Sequence, residues 1–219
     1  MSKFLKFWRQ YAFLILFAFL ILGLLDFRIG MAAIICMVAP IVLSIFRGRY
    51  WCGNLCPRGN FYDRVVSKFS SKRKVPRFLK SNYFRILMVI FVFTVFTLGI
   101  KNNWGNAYGI GMVFYRIIVV TTLVGVILSL FFNNRTWCYF CPMGSIAAFI
   151  AHLRKSKKVL QVSNSCIACK LCEKKCPMAI SPYDFKGSCL SHKDCIQCKK
   201  CAESCPKKSI GYEKLKPDE

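Results

Sequence analysis

Acidic side chains are scarce in this sequence. Its 219 residues include 9 Asp and Glu against 33 Lys and Arg, which gives a formal net charge of +24, and only two His. The sequence also lacks a nucleotide signature, a Gly-rich phosphate loop and a catalytic Ser, His and Asp arrangement. If the chain takes part in catalysis, a partner therefore supplies the substrate chemistry.

The excess of positive charge does not indicate nucleic-acid binding. Most basic residues before residue 160 lie beside long apolar runs, where they suit membrane topology and anionic lipid headgroups. A nucleic-acid-binding domain would need a compact basic face with base-contacting elements, and the pattern shows none. The basic C-terminal part suggests an acidic partner surface or nearby headgroups, although solvation alone is a sufficient explanation.

Four apolar runs approach the length of about 20 residues that a transmembrane helix needs. They are Trp8–Leu25, Ile29–Phe46, Phe84–Ile100 and Met112–Phe132. Pro40 in the second run is tolerated in lipid with a kink, and Arg85 and Arg116 are expected to snorkel into the headgroups. No small-residue cleavage site follows the first run, so we expect a retained span rather than a signal peptide.

Basic residues are concentrated at alternate ends of these spans. The N-terminal segment, the loop between spans two and three, and the segment after span four are rich in Lys and Arg. The other two turns hold only Arg28 and Lys101. The positive-inside rule predicts that both termini and the long loop face the cytoplasm. We therefore expect a multi-pass protein of a bacterial-type cytoplasmic (inner) membrane, with lipid as one partner.

The C-terminal segment carries two copies of one cysteine pattern, offset by 29 residues. Each copy reads C-x2-C-x2-C-x3-C-P, the run that ligates [4Fe–4S] clusters in bacterial ferredoxins, where the fourth Cys ligates the cluster of the other copy. The predicted ligands of one cluster are Cys166, Cys169, Cys172 and Cys205. Those of the other are Cys195, Cys198, Cys201 and Cys176.

Zinc is the main alternative for these cysteines, because C-x2-C pairs also build structural zinc sites. A tandem repeat that keeps a Pro after each fourth Cys favours clusters. Eight closely spaced thiols also indicate a reducing compartment, in agreement with the predicted orientation. The fold prediction is an α-helical membrane domain over residues 1–160, followed by an α+β ferredoxin domain with two [4Fe–4S] clusters over residues 161–219.

A second repeat lies in the membrane half. The segments at residues 49–59 and 135–144 both read R-x-W-C-x2/3-C-P-x-G, and each follows a pair of spans. This predicts two duplicated helix hairpins related by an axis along the membrane normal. Such an axis would bring four thiols together at the cytoplasmic surface: Cys52, Cys56, Cys138 and Cys141.

Several occupants suit such a set of thiols. They could hold a third [4Fe–4S] cluster, which is the leading form, or a mononuclear metal, or form a redox-active dithiol pair. The structural alternative is that the Cys residues pack as small hydrophobic groups and Trp51 and Trp137 belong to the interfacial aromatic belt. That alternative accounts for the tryptophans but not for the repeated Cys-Pro-x-Gly.

The two Cys-Pro motifs after membrane helices, followed by a tandem cubane ferredoxin, resemble the membrane ferredoxin family of NapH. That family also includes the C-terminal half of the regulator NosR and the accessory protein CcoG. The resemblance covers essentially the whole chain and implies electron passage between the quinone pool, cytoplasmic donors and periplasmic reductase systems. The sequence departs in its second motif, C-x2-C-P instead of C-x3-C-P, and it lacks the extra domains of NosR and CcoG. A short NapH-like subunit is the closest description.

We therefore expect a membrane-bound iron–sulfur protein that passes electrons between its ferredoxin-type domain and the quinone pool or a partner redox subunit. The alternatives are a redox maturation factor for another metalloenzyme and a structural membrane anchor of a larger redox complex. The quinone site is not readable from the sequence.

Five further side chains carry weaker expectations. An ionisable group at a membrane site suggests function, so Asp63, His152 and Asp26 are candidates for proton coupling, with His152 expected to be solvated. Cys36 is expected to pack inside the second span, and Cys189 to be a spare buried thiol.

Overall fold

The computed structural model describes residues 3–71, 73–154 and 159–212. In chain order its helices are α1 (Lys3–Leu25), α2 (Ala33–Arg47), α3 (Tyr50–Asn54), α4 (Pro57–Arg64), α5 (Arg77–Lys80), α6 (Asn82–Asn102), α7 (Ala107–Phe131), α8 (Trp137–Phe140), α9 (Pro142–Arg154), α10 (Leu171–Lys174) and α11 (Lys200–Glu203). Short 3-10 helices span Phe27–Ala32, Val66–Lys68 and Pro182–Phe185. The strands are β1 (Gln161–Val162) and β2 (Ile210–Gly211).

Four helical segments are long and apolar enough to cross a membrane. They are Phe7–Leu25, Phe27–Arg47, Asn82–Asn102 and Ala107–Phe131. Their outer faces expose large apolar side chains such as Leu25, Ile35 and Phe91, which suit lipid rather than water. The four predicted spans are confirmed as membrane-length helices, although the second begins with a 3-10 turn before α2.

The 3-10 turn at the start of the second span packs directly on α7. A Cβ at Gly30 would collide with the carbonyl of Gly111, and a Cβ at Gly111 would collide with the carbonyl of Phe27. Glycines at such crossings let backbones approach closely, which is how helices associate where lipid gives no hydrophobic drive. The Tyr115 hydroxyl adds a hydrogen bond of 3.1 Å to the carbonyl of Leu20.

The two Cys-Pro motifs lie at the opposite end of the spans. In each, the first Cys sits in a short helix, α3 or α8, and the second immediately precedes a helix that begins with Pro, α4 or α9. A Pro at the first helical position suits this geometry because its missing N–H would have no partner there. Helix α4 packs mainly on α1, while α9 packs on α2 and α6.

The C-terminal segment rests on this end of the helices. Strands β1 and β2 pair antiparallel, with Val162 opposite Ile210. One buried core runs from the membrane half into the segment without a break, and it includes Tyr62, Trp137, Leu160, Met178 and Ile196. The two halves are therefore packed together.

Buried ion pairs join the same two halves. Arg85 does not snorkel as predicted: it is buried, and its Nη2 lies 2.6 Å from Oδ1 of Asp194. Asp194 is also 3.6 Å from Nη1 of Arg49. A buried cation needs a paired anion, and this carboxylate of the C-terminal segment supplies it closer than the headgroups could.

Candidate metal centres

Two small cavities in the C-terminal segment collect its eight motif cysteines. One is lined by Cys166, Cys169, Cys172 and Cys205. The other is lined by Cys176, Cys195, Cys198 and Cys201. Each has a volume of about 20 Å³, and each combines three cysteines of one copy with the fourth of the other copy. The structure therefore brings together the two crossed sets that the sequence predicts.

The backbone around these cavities repeats with the same 29-residue offset as the cysteines. Left-handed φ angles occur at three matched pairs of non-Gly residues: Ala168 and Gln197, Lys170 and Lys199, Ala179 and Lys208. Left-handed residues between right-handed ones turn successive N–H groups inward and form anion-binding concavities, which are common at Fe–S sites. This strained backbone, about 1 kcal/mol or more per residue, fits the enclosure of an anionic cluster.

Burial and nearby N–H groups act in opposite directions on the pKa of thiols in both cavities. Burial raises the pKa of Cys201 to about 12, against the backbone N–H of Ala202. Burial likewise raises the pKa of Cys172, against the N–H of Glu173. As free thiols they stay protonated at neutral pH, and only a metal centre would keep them as thiolates.

In the membrane half, each motif arginine donates to the other motif. Nη2 of Arg49 donates to the carbonyl of Cys138 at 2.6 Å, and Nη1 of Arg135 donates to the carbonyl of Cys52 at 2.9 Å. Both guanidinium groups are almost fully buried. The first Cys of each motif is therefore fixed by the Arg of the opposite copy.

The same contacts explain the motif glycines. A Cβ on Gly59 would lie 2.6 Å from Nη1 of Arg135, and one on Gly144 would lie 2.7 Å from Nη2 of Arg49. Each Gly thus leaves the passage through which the arginine of the other copy reaches its carbonyl. Each copy of the pattern R-x-W-C…C-P-x-G thus supplies an Arg that binds the backbone of the other copy and a Gly that makes room for the Arg of the other copy.

A cavity of about 430 Å³ opens between the spans beside these motifs. Three of the four predicted cysteines line it: Cys52, Cys56 and Cys141. Cys138 is buried behind its wall, with its Sγ 3.7 Å from Nη1 of Arg135. Most of the remaining wall is apolar and comes from the membrane spans. The four thiols lie around one region, but they do not all face the same space.

Buried donors surround this region without acceptors. The indole Nε1 atoms of Trp51 and Trp137 and the Nη2 of Arg135 are buried and make no hydrogen bond among the described residues. An unmet buried donor costs about 1–3 kcal/mol, so an anionic occupant that accepts from them would be stabilised. Arg58 adds charge: its Nη2 lies 3.4 Å from Sγ of Cys141, and its guanidinium stacks over Trp137.

This donor set fits an iron–sulfur cluster better than a single ion. Within residues 3–71, 73–154 and 159–212, no three Cys, His, Asp or Glu side chains converge closely enough to hold one metal ion. Burial raises the pKa of Cys52 to about 12 and that of Cys56 to about 11, so both thiols are neutral unless a metal binds. Sulfur ligands spread around a space, with N–H donors nearby, suit a cubane.

The three candidates for proton coupling either make contacts within the protein or are exposed to solvent. Asp63 accepts from Nε of Arg135 and from Nζ of Lys200, each at 2.9 Å. Burial would raise the pKa of Asp63, but Arg135 and Lys200 outweigh burial and hold the pKa well below its usual range. Asp26 accepts from the N–H of Arg28 at the start of the 3-10 turn, and His152 is exposed, as expected.

The two spare cysteines also differ from expectation. Cys189 is exposed rather than buried, because the segment that contains it lies along the outer edge of β1. Cys36 lies in α2 and lines the membrane cavity with Cys56, so it is not a plain packing residue.

Sequence reasoning missed the residues that join the two halves. A Cβ on Gly53 would collide with the carbonyl of Ile196, and Nδ2 of Asn54 donates to the carbonyl of Gln197 at 3.0 Å. From the other motif, the Tyr139 hydroxyl donates to the carbonyl of Met178 at 2.6 Å. The Gly-Asn dipeptide between Cys52 and Cys56 was the available signal, since such a Gly can mark a close backbone approach.

Comparison with known proteins points to the same chemistry. A family model described as a 4Fe-4S binding domain, Fer4_5, matches residues 29–76 and again residues 115–160. Both matches contain a membrane Cys-Pro motif, and the C-terminal motifs lie outside them.

Relatives extend over about two thirds of the chain. Two uncharacterized proteins of Methanocaldococcus jannaschii are 31% and 29% identical over 68% and 66% of the chain. YccM of Escherichia coli, which is named as an electron transport protein, is 28% identical over 68% of it. The chain spans 60%, 65% and 47% of the lengths of these three relatives. No solved structure matches it.

The family-model matches support iron–sulfur cluster binding by this chain. The chain is also similar over part of its length to a protein named for electron transport. The four membrane-length helices indicate membrane association.

The reciprocal contact can be tested with Arg135→Lys. The Arg135 side chain donates from Nε to Asp63 and from Nη1 to Cys52, and a lysine, with one nitrogen, cannot reproduce both bonds. We expect a loss of about 1–3 kcal/mol in unfolding free energy, measured as reduced thermal stability in detergent. Exposed Arg64→Lys is the control and should stay within about 0.5 kcal/mol. Equal stability of Arg135→Lys and wild type would contradict the assignment.

Proposed function

We propose that this chain is a membrane-bound electron-transfer protein that holds three [4Fe–4S] clusters. It exchanges electrons between its C-terminal ferredoxin-type domain, residues 161–219, and the membrane, where quinone or a partner redox subunit takes part. The observation that carries the proposal is the contact between the second C-terminal site and the membrane motifs, through Gly53 to Ile196 and through Tyr139 to Met178. A NapH-like subunit remains the closest family description.

Two clusters belong to the C-terminal cavities, with crossed ligand sets. The first set is Cys166, Cys169, Cys172 and Cys205, and the second is Cys195, Cys198, Cys201 and Cys176. The matched left-handed residues support this assignment, because backbone of this kind forms the anion-binding concavities that are common at Fe–S sites. A bound [4Fe–4S] cluster supplies a one-electron carrier.

The third cluster belongs to the membrane half, with Cys52, Cys56, Cys138 and Cys141 as ligands. Two matches to a 4Fe-4S family model, one on each motif, support both the ligation and the duplication of the hairpins. The buried donors of Trp51, Trp137 and Arg135 support an anionic occupant. The extra residue of the C-x3-C spacer is Leu55, which lies between the end of α3 and Cys56, whereas α8 ends directly before Cys141.

The sites are arranged in series. The loop of Ile196 and Gln197 lies between the second C-terminal site and the membrane motif, in contact with Gly53 and Asn54. In the proposed electron path, the first C-terminal site follows the second. Apolar walls from the spans extend the membrane cavity away from Cys56, and they suit a lipophilic ring such as that of quinone.

The proposed orientation places both termini and the motif end of the helices in the cytoplasm, following the basic loops. Topology reporters should read cytoplasmic after Ser70 and after Glu219, and external near Asn106. A cytoplasmic signal near Asn106 would mean that α6 and α7 do not cross, and it would remove the paired-hairpin arrangement.

Crossed ligation is tested by pairs of Ser substitutions in the full-length protein. If Cys176 and Cys198 share a site, the double variant should lose about four iron atoms, no more than Cys176→Ser alone. Cys176→Ser with Cys169→Ser should instead lose about eight, since two sites are damaged. Anaerobic iron and acid-labile sulfide analysis measures both, with Cys189→Ser as an unassigned control that keeps full content. The reverse order of losses would show that each motif ligates its own cluster, and zinc without sulfide would end the ferredoxin assignment.

The membrane site is tested by replacing Cys56 and Cys141 together with Ser. The full-length protein should hold about twelve iron atoms, and the variant about eight, because only the third cluster is lost. Cys36→Ser lines the same cavity but is not a proposed ligand, so it should keep all the iron. Reduction of the C-terminal clusters by dithionite should persist, while electron exchange with quinol should fall. An unchanged iron content in the double variant would leave these cysteines to thiol chemistry or packing.

A further inference from the structure

The two ferredoxin motifs have the same pattern but different surroundings. In the second copy, Ile196 and Gln197 are each 2% exposed, and Cys198 is buried. At the matching positions of the first copy, Ile167 is 61% exposed, and Ala168 and Cys169 are also exposed. Two equal loops thus present the same face, one covered and one open.

The covered face shows what such a loop does. Ile196 and Gln197 meet the membrane motif with their backbone, through the close approach of Gly53 and the hydrogen bond from Asn54. This contact sets the ligand Cys198 against a protein surface that carries cysteines of its own. The face is therefore a docking face for another redox-active surface.

The open face of the first copy carries a distinct chemistry around its apolar centre. Ile167 and Leu171, 61% and 43% exposed, flank the exposed Cys169. Lys207 lines the same cavity and is exposed, and four more exposed lysines lie close to its cysteines in sequence: Lys170, Lys174, Lys175 and Lys208. The nearby Glu173 accepts a hydrogen bond from the Tyr183 hydroxyl at 2.9 Å, so this carboxylate is engaged within the segment.

We propose that this face, which we call the first-copy face (Ile167–Leu171, Lys174, Lys175, Lys207 and Lys208), docks a soluble, acidic electron-carrier protein. The proposal rests on the proposed function, because it assigns the partner of the site formed by Cys166, Cys169, Cys172 and Cys205. An apolar centre within a rim of one charge is the usual form of a transient protein interface. The lysines steer an acidic partner, and Ile167 and Leu171 supply the contact over the cysteine ligand.

The test uses full-length protein in nanodiscs of neutral lipid and oxidised flavodoxin, an acidic carrier, as the probe. Calorimetry should detect binding at low ionic strength that weakens as salt is added, as expected for opposite charges. Lys170→Glu with Lys207→Glu should weaken binding by about 10-fold or more at low salt. Ile167→Gln should weaken it at every salt concentration, since it removes apolar contact and no charge.

The charge control is Lys101→Glu with Lys3→Glu, which gives the same net change away from the first-copy face. It should bind flavodoxin as wild type does. A second readout is the rate at which flavodoxin hydroquinone gives one electron to the protein and becomes the semiquinone. That rate should fall with binding, while reduction by dithionite stays unchanged.

The outcomes separate this proposal from the proposed function. Loss of iron and sulfide from wild-type preparations would count against the clusters themselves, whatever flavodoxin does. Normal cluster content with equal flavodoxin binding by wild type and the double Glu variant would overturn the docking face. Wild-type binding that appears only with anionic lipid would overturn it in favour of a headgroup-facing surface.

Discussion

The arrangement of the motif end depends on two buried arginines that reach across it in opposite directions. Arg49 holds the carbonyl of Cys138, and Arg135 holds the carbonyl of Cys52. Neither copy can position its first cysteine alone, because the group that fixes it belongs to the other copy. The glycine after each Cys-Pro keeps the passage open. Two sequence-distant segments therefore act as one unit.

Buried cations require anions, and acidic residues are scarce in this chain. With 9 acidic residues in 219, two carboxylates are committed to these arginines: Asp194 near Arg49 and Arg85, and Asp63 beside Arg135. Removing one partner of a buried pair typically costs about 3–5 kcal/mol, because the remaining charge is left without compensation. Since Asp194 immediately precedes Cys195 and Lys200 immediately precedes Cys201, the pairs that neutralise the membrane motifs also fix the second ferredoxin loop. The contacts that neutralise the buried arginines are therefore the same contacts that hold the C-terminal segment against the membrane half.

Local patterns in the sequence were enough to predict the membrane-length helices and the two groups of cysteines that the structure brings together. Four apolar runs gave the spans, and the 29-residue repeat gave the two sets of cysteines that line separate cavities. Contacts between distant segments were not predictable in this way. The sequence predicts that Arg85 snorkels into the headgroups and that Asp63 is a candidate for proton coupling. In the structure Asp194 pairs with Arg85, and both Arg135 and Lys200 pair with Asp63. An ion pair depends on which distant segment packs opposite the charged residue, and the periodicity of the sequence carries no information about that packing.

Near-symmetry makes the remaining differences informative. Position x of Cys-Pro-x-Gly is Arg58 in the first copy and Met143 in the second, so this position supplies a half-buried cation in the first copy only. Arg58 donates to Thr121 on α7 at 2.9 Å and approaches Cys141 of the opposite motif. In the C-terminal segment the same asymmetry appears as one covered loop and one open loop. A repeat that were symmetric throughout would bind alike on both sides and give no direction. The departures from symmetry, at Arg58 and at Ile167, make the two copies of each repeat chemically different, and that difference is what a directional exchange of electrons would require.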